Sequence, residues 1–295
     1  MKDIAKACGV SLATVSYVIN NSEKEVIRHE TRIKVLEMAR KLNYIPNHCR
    51  ESAHIKSNLV GIIINWNKRN CPSKKMIYYD LAVELQRCLS DLGFDTIVAT
   101  TKTFEEDADI ISKRSLDAVF IIDISTPKVR QVTNKYYVPI IFLDCEINDA
   151  LFYKVYPNYP VVISEAKKIL AEPYPFLIME DILNDELKDL ITSHFHEEDV
   201  FINTPDNDLR AFLKEHKHQK GIVLGEILGL EVERYIPNDQ LVVITAIENS
   251  RLLLPDTKTI TMSNRTKAKA AVNIMQRLLR LEYDCCPGNK LLLNP

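Results

Sequence analysis

The chain has 295 residues, of which 46% are apolar and 26% charged, with a net charge of −2, the size and make-up of about two ordinary globular domains. These values exclude a disordered, collagen-like or disulfide-stapled chain. No apolar run reaches the roughly 18 residues that cross a bilayer, and the first twenty residues lack a signal-peptide pattern, so no membrane partner is expected. The seven Cys are scattered without a CxxC pair, which reads as reduced thiols in a cytoplasmic protein, with no disulfide framework and no zinc site.

The first 45 residues read as three short helices. Ile4, Ala5 and Cys8 share an apolar face, and Gly9 ends the first helix. Ser11 is a good N-cap for the second, where Val15, Val18 and Ile19 supply a buried stripe. Asn20, Asn21 and Ser22 break that helix. A longer one from about Glu30 to Leu42 places Ile33, Leu36, Met38 and Ala39 near one side, and Pro46 stops it. Residues 1–58 hold six Lys and four Arg against one Asp and five Glu, a net +4, which leaves −6 for the remainder. A basic head on an acidic body points to an anionic partner for the head.

From Leu59 the pattern changes. Short aliphatic runs of the buried parallel-strand type recur at 59–64, 96–99, 118–122, 139–143, 176–179, 221–224 and 241–247. Helical patterns lie between them at 77–92, 161–170, 183–195, 209–216 and 266–281. This alternation predicts parallel α/β layers. The stretch 152–160, with two Pro and three Tyr, reads as a crossover between two such layers. No P-loop, G-x-G-x-x-G, G-x-S-x-G or H-E-x-x-H motif is present, so neither an enzyme nor a cofactor is expected. Gly221, Gly225 and Gly229 recur without Lys or Ser/Thr partners and read as packing glycines. His194 and His196, beside Glu197 and Glu198, read as a solvated helix end instead of a metal site.

A helix, a Gly-containing turn and a capped second helix form the helix-turn-helix pattern. The turn lets the second helix cross the first, so that its start enters a major groove about 12 Å wide. Ser11, Ala13, Thr14 and Ser16 are small or hydroxylated, which permits close approach and hydrogen bonds to phosphate oxygens. A plain three-helix core has the same pattern, so the pattern alone leaves nucleic-acid binding open. The residues are more specific. Asp3-Ile4-Ala5, Gly9-Val10-Ser11, Thr14-Val15-Ser16 and Val18-Ile19-Asn20 stand at the spacing of the DNA-binding head of the LacI/GalR family of bacterial repressors, which this segment resembles. Thr31-Arg32, Val35-Leu36 and Leu42-Asn43-Tyr44-Ile45-Pro46 are similar to the family's third helix and its Tyr-x-Pro exit. More loosely, Leu59-Val60-Gly61-Ile62-Ile63-Ile64 is similar to the first strand of its effector domain.

The resemblance implies a small all-α helix-turn-helix head followed by an α/β periplasmic-binding-protein-like domain, two parallel-sheet lobes around a ligand cleft. The implied division is a head at 1–45, a hinge at 46–58 and an effector-binding and dimerisation domain at 59–295. It implies a dimeric, sequence-specific DNA-binding transcriptional regulator, a repressor of a sugar or metabolite operon that responds to a small-molecule effector. In the alternative the cleft serves a protein partner or no ligand. By the family's geometry Leu12 and Ala13 open the recognition helix and face base edges, with Tyr17 one turn later. Neither Leu12 nor Ala13 makes bidentate hydrogen bonds, so readout there is apolar, as against a thymine methyl. Lys2, Lys6, Ser11, Thr14, Ser16, Asn20 and Thr31 are implied backbone contacts on double-stranded DNA.

The hinge departs from the family. Where the family has Ala-Arg-Ser-Leu, with the Leu wedged into the minor groove, this chain has Arg50-Glu51-Ser52-Ala53. Ala53 is too short for a wedge and Glu51 puts a negative charge near phosphates, so no family-style kink is expected; Arg50 and Lys56 hold the backbone by charge. The implied effector positions fall on Asn65 and Trp66 after the first strand, Asn158 and Tyr159 at the crossover, and Glu226 and Glu248 after second-lobe strands. The family's ligand-binding Arg has no counterpart near 184–190. The helix at 77–92 lies where one subunit of a homodimer meets its mate.

Overall fold

The computed structural model describes residues 1–19, 27–42, 44, 57–103, 106, 116–126, 138–148, 152–248, 251–280, 282 and 287–295. The head comprises α1 (Lys2–Cys8), α2 (Leu12–Ile19) and α3 (His29–Lys41). Gly9 stands in the left-handed region at φ 66°, where it ends α1 and turns the chain, a conformation glycine adopts without strain. Ile4, Cys8, Val15, Val18, Ile19, Val35 and Ala39 close one small core between the three helices. The periodic apolar positions therefore fix how the helices cross.

The body contains two all-parallel sheets. The first has the order β11-β5-β4-β3-β1-β2, from β1 (Leu59–Asn65), β2 (Asp95–Thr101), β3 (Ala118–Ile122), β4 (Ile140–Leu143), β5 (Tyr153–Pro157) and β11 (Lys290–Leu293). The second has the order β10-β9-β8-β6-β7, from β6 (Phe176–Glu180), β7 (Val200–Asn203), β8 (Gly221–Leu224), β9 (Leu241–Thr245) and β10 (Lys258–Thr261). β3, β4, β6 and β9 are buried along their whole length, as strands covered on both faces must be.

The first lobe is covered by α4 (Pro72–Ser90) and α9 (Asn264–Leu279), which pack side by side over the aliphatic face of β1 and β3. The second carries α5 (Tyr159–Leu170), α6 (Asp185–Thr192), α7 (Leu209–Glu215) and α8 (Glu226–Val232). Asp117 fastens the start of the first lobe by accepting the N–H groups of Ser57 at 3.3 Å and Asn58 at 2.9 Å.

Several boundaries differ from the sequence expectation, each for a local reason. The stretch 152–160 is not all crossover: residues 153–157 form the buried β5, whose Lys154 donates to the Ile147 carbonyl at 2.8 Å. β7, β10 and β11 escaped the aliphatic-run criterion. β10, for example, buries only Ile260 and exposes its other three residues. α4 begins five residues before its first large aliphatic residue, because its first turn is polar, with Pro72 opening it and Ser73 and Lys74 buried. Gly221 lies beneath the Phe176 ring, where a Cβ would sit 2.0 Å from a ring carbon, and Gly229 abuts Val243; both are packing glycines.

Candidate functional site

In the head, Ser11 caps α2 by accepting the Thr14 N–H at 3.0 Å, and its hydroxyl also meets that of Thr14 at 2.8 Å. With Val15, Val18 and Ile19 turned into the core, the opposite side of the helix start is left to solvent. Ser11, Leu12 and Ala13 are exposed, as are Lys2 and Lys6 on α1, while Thr14, Ser16, Tyr17 and Thr31 are half-buried. Leu12 is 47% exposed, an apolar side chain presented to solvent at the start of a helix. Asn20, Arg50 and Ala53 lie outside the described residues, as do Glu51 and Lys56.

In the body the topology marks a second site. Along both sheets the strand order reverses beside the first strand, β2-β1-β3-β4-β5 in one lobe and β7-β6-β8-β9-β10 in the other. Ligands in such sheets sit at the carboxyl ends of the strands next to that reversal. There the two lobes face each other. β3 runs into Asp123 and β4 into Asp144, both non-glycine residues in the left-handed region at φ 54° and 51°, the kind of backbone strain that gathers at functional sites.

Each carboxylate meets a lysine. Lys74 on α4 donates to Asp123 Oδ2 at 2.5 Å and to the Asp181 carbonyl of the other lobe at 2.5 Å. Lys267 on α9 donates to both oxygens of Asp144 at 2.8 Å. Asp123 Oδ1 accepts the N–H groups of Leu183 at 2.9 Å and Asn184 at 3.2 Å. Ser73 donates to Glu180 across the cleft, and the second Glu180 oxygen accepts from Asn203 at 3.1 Å. A cavity of about 90 Å³ remains, lined by Lys74, Tyr78, Asp144, Tyr159, Glu180, Thr245 and Lys267 together with aliphatic groups such as Ile77, Ile182 and Met262. That is room for a few waters.

Burial pushes the Asp123 carboxyl up, and the Lys74 ammonium and the two N–H donors pull it back. Glu180 is pushed up to about 6 by burial, against hydrogen bonds from Ser73 and Asn203 that lower it. The phenols of Tyr78 and Tyr159 are raised by burial and by the charges of Asp123 and Asp144. Among the described residues no cluster of His, Cys, Asp and Glu is placed to hold a metal, and no helix is long and apolar enough to cross a membrane.

Residues 1–47 match the family of "Bacterial regulatory proteins, lacI family". The head of the chain thus carries the lacI-family segment. Among curated relatives, catabolite control protein A of Staphylococcus xylosus is 28% identical over 236 residues, 71% of this chain and 68% of that protein. The protein of the same name from Staphylococcus epidermidis is 25% identical over 213 residues, 65% of this chain and 61% of that protein. That of Staphylococcus aureus is 29% identical over 180 residues, 58% of this chain and half of that protein. The chain thus spans about half to two thirds of the length of the curated relatives it matches.

The fold is shared more widely. A transcriptional regulator CelR–cellobiose complex matches with a TM-score of 0.62 at 16% identity, over 99% of this chain and 95% of that one. The lac repressor dimer bound to operator and the anti-inducer ONPF matches with a TM-score of 0.61 at 17% identity, over the same shares.

The cleft is not built from the residues that the resemblance implied. Of those six, Tyr159 alone lines the cavity. Trp66 is buried beneath α4, with its ring 5.9 Å from that of Tyr78 and 6.1 Å from that of Tyr79; it is a core residue. Asn65 is buried beside Thr101. Asn158 is spent on Asn294 at 2.9 Å. Glu226 accepts the N–H groups of Ala246 at 3.2 Å and Ile247 at 3.0 Å, and so braces the loop after β9. Glu248 accepts the Ser263 hydroxyl at 2.6 Å and holds the start of α9.

The residues that do meet in the cleft, the adjacent Ser73 and Lys74 with Asp123, Asp144, Glu180 and Lys267, come from five separate places in the chain. Two of them left a trace in the sequence, since Asp123 and Asp144 each directly follow an aliphatic strand. Lys74 and Lys267 had none, because a lysine in a helix reads as solvated.

Proposed function

We propose that the chain is a sequence-specific DNA-binding transcriptional regulator that acts as a homodimeric repressor, with α2 as its reading helix. The observation that carries this is the head: the fixed spacing of the lacI-family pattern coincides with a helix start that leaves Ser11, Leu12 and Ala13 exposed over a closed core. Leu12 and Ala13 read base edges by apolar contact, and Tyr17 contacts the next base or phosphate. Lys2, Lys6, Ser11, Thr14, Ser16 and Thr31 hold the phosphates, as do Asn20 and Arg50 by the family's geometry, while Ala53 stands at the family's minor-groove position. Two heads are needed for a two-fold operator. Along α4, Met76, Tyr79 and Val83 are 52%, 47% and 59% exposed, an outward apolar stripe at helical spacing that suits a second copy.

The body takes the role of the responsive half, with a sugar or related metabolite as effector; the named relatives and the cellobiose complex support this reading. One observation favours the alternative of a protein partner or no ligand: the charged groups of the cleft, Lys74, Asp123, Asp144, Glu180 and Lys267, are already paired within the protein. Selection of bound duplexes from random DNA at a fixed salt concentration tests the main reading, salt being held because phosphate contacts dominate affinity. One sequence family should emerge from the wild type. Tyr17→Ala should shift it, whereas Lys6→Ala should weaken all duplexes alike. Recovery of unenriched sequence by the wild-type chain would overturn it.

A further inference from the structure

Three features of the cleft belong together. Lys74 leaves α4 of the first lobe, is 2% exposed, and splits its ammonium between Asp123 of its own lobe and the Asp181 carbonyl of the other. Asp123 in turn reaches across to the Leu183 and Asn184 N–H groups. Asn184 completes the seam: its Nδ2 donates to the Ile124 carbonyl at 3.2 Å, and its Oδ1 accepts the Glu146 N–H at 2.8 Å, both in the first lobe. Further out, Ser73 bonds Glu180, and Asn70 donates to the Asp181 carbonyl at 3.3 Å.

A cleft that awaits a polar ligand keeps unsatisfied donors and acceptors turned towards it. Here the ammonium and the carboxylate stand where ligand groups would be bound, each at hydrogen-bonding distance of a protein partner, and the pairing spans both lobes.

We infer that the cleft is liganded from within: Lys74 and Asp123 act as a clamp that holds the lobes closed with no small molecule bound. The inference deepens the reading of the body as the responsive half, since any effector of this chain then has to compete with the clamp. Closure is the resting condition, and a ligand that works in the cleft opens it or replaces Lys74. A hydroxyl-rich sugar brings no positive charge to Asp123, so it is a poor substitute for that ammonium.

Amide hydrogen exchange on the full, ligand-free chain tests this without DNA, so its failure leaves the DNA-reading proposal untouched. The N–H groups of Leu183 and Asn184 have their acceptor in the opposite lobe, which makes them direct reporters of closure. In the wild type they should exchange about 100-fold more slowly than unstructured amides, and addition of cellobiose should not slow them further. Lys74→Met should speed both about tenfold while leaving the Val243 amide of β9 unchanged.

Unprotected Leu183 and Asn184 in the wild type would overturn the clamp. So would protection that appears only with cellobiose, or protection unchanged in Lys74→Met. Should Lys74→Met fail to fold, Asn70→Ala, which removes one bond to the same carbonyl, takes its place. The wild-type comparison with and without cellobiose decides the question by itself.

Discussion

The head and the cleft put chemistry into a chain in opposite ways. The head's proposed contacts stand along three short successive helices, at a spacing dictated by how one rod crosses another, and they face outward. The cleft's contacts come from positions as distant as Ser73 and Lys267, face inward, and satisfy each other across two lobes. An outward site presents its groups to a partner, and an inward network uses them to hold the fold. Identical residue types, a lysine or a carboxylate, therefore do different work in the two places.

The largest effect that would sharpen this contrast is expected at Lys267. Lys267→Met leaves Asp144 buried beside an apolar tip, and removal of one partner of a buried pair costs about 3–5 kcal/mol. Urea denaturation of the variant should show the loss, and Lys267→Met with Asp144→Asn should recover most of it. A loss below about 1 kcal/mol, the value of an exposed pair, would break the contrast.

Next comes the pH dependence of the cleft. Glu180 has its carboxyl raised by burial to about 6 from 4.5, so the folded state holds this proton more tightly than the unfolded one. Its ionisation therefore costs stability, fully above about pH 6, and the cost vanishes as pH falls through about 4.5. The span corresponds to about 2 kcal/mol at most. Glu180→Gln should flatten that segment of the stability profile. An unchanged slope between pH 4.5 and 6 would contradict the assignment.

The smallest effect is expected in the head. Ser11→Ala removes the α2 cap and should cost about 1 kcal/mol in the head's own unfolding. It should leave the body's transition in place and weaken DNA binding through a lost phosphate contact. An equal shift of both transitions would show that head and body are not separate in stability.

Legibility in the sequence followed the same divide. The head was readable nearly in full: Ile4, Cys8, Val15 and Val18 repeat at helical spacing, and Gly9 and Ser11 are the residue types that end one helix and start the next. The central strands β1, β3, β4, β6, β8 and β9 were readable because both of their faces are buried. β5, with Lys154 inside it, and the polar edge strand β10 were not, since tertiary contacts compensate for what their patterns lack. The cleft was the least legible part. Matching Trp66, Glu226 and Glu248 to family positions carried over residue types but not their surroundings, and each is occupied in local packing or in bracing a backbone turn. Lys74 and Lys267 become functional candidates only when the fold sets them against Asp123 and Asp144, and nothing local to either lysine announces that.

The central claim is that α2 lets this chain tell one duplex from another. The most direct measurement is the affinity of the purified full chain for a selected duplex and for a scrambled duplex of the same length, in the same buffer at physiological salt. The account predicts a preference of about 10³-fold or more for the selected duplex, reduced on replacing Tyr17 by Ala. Equal affinity for both duplexes would contradict it.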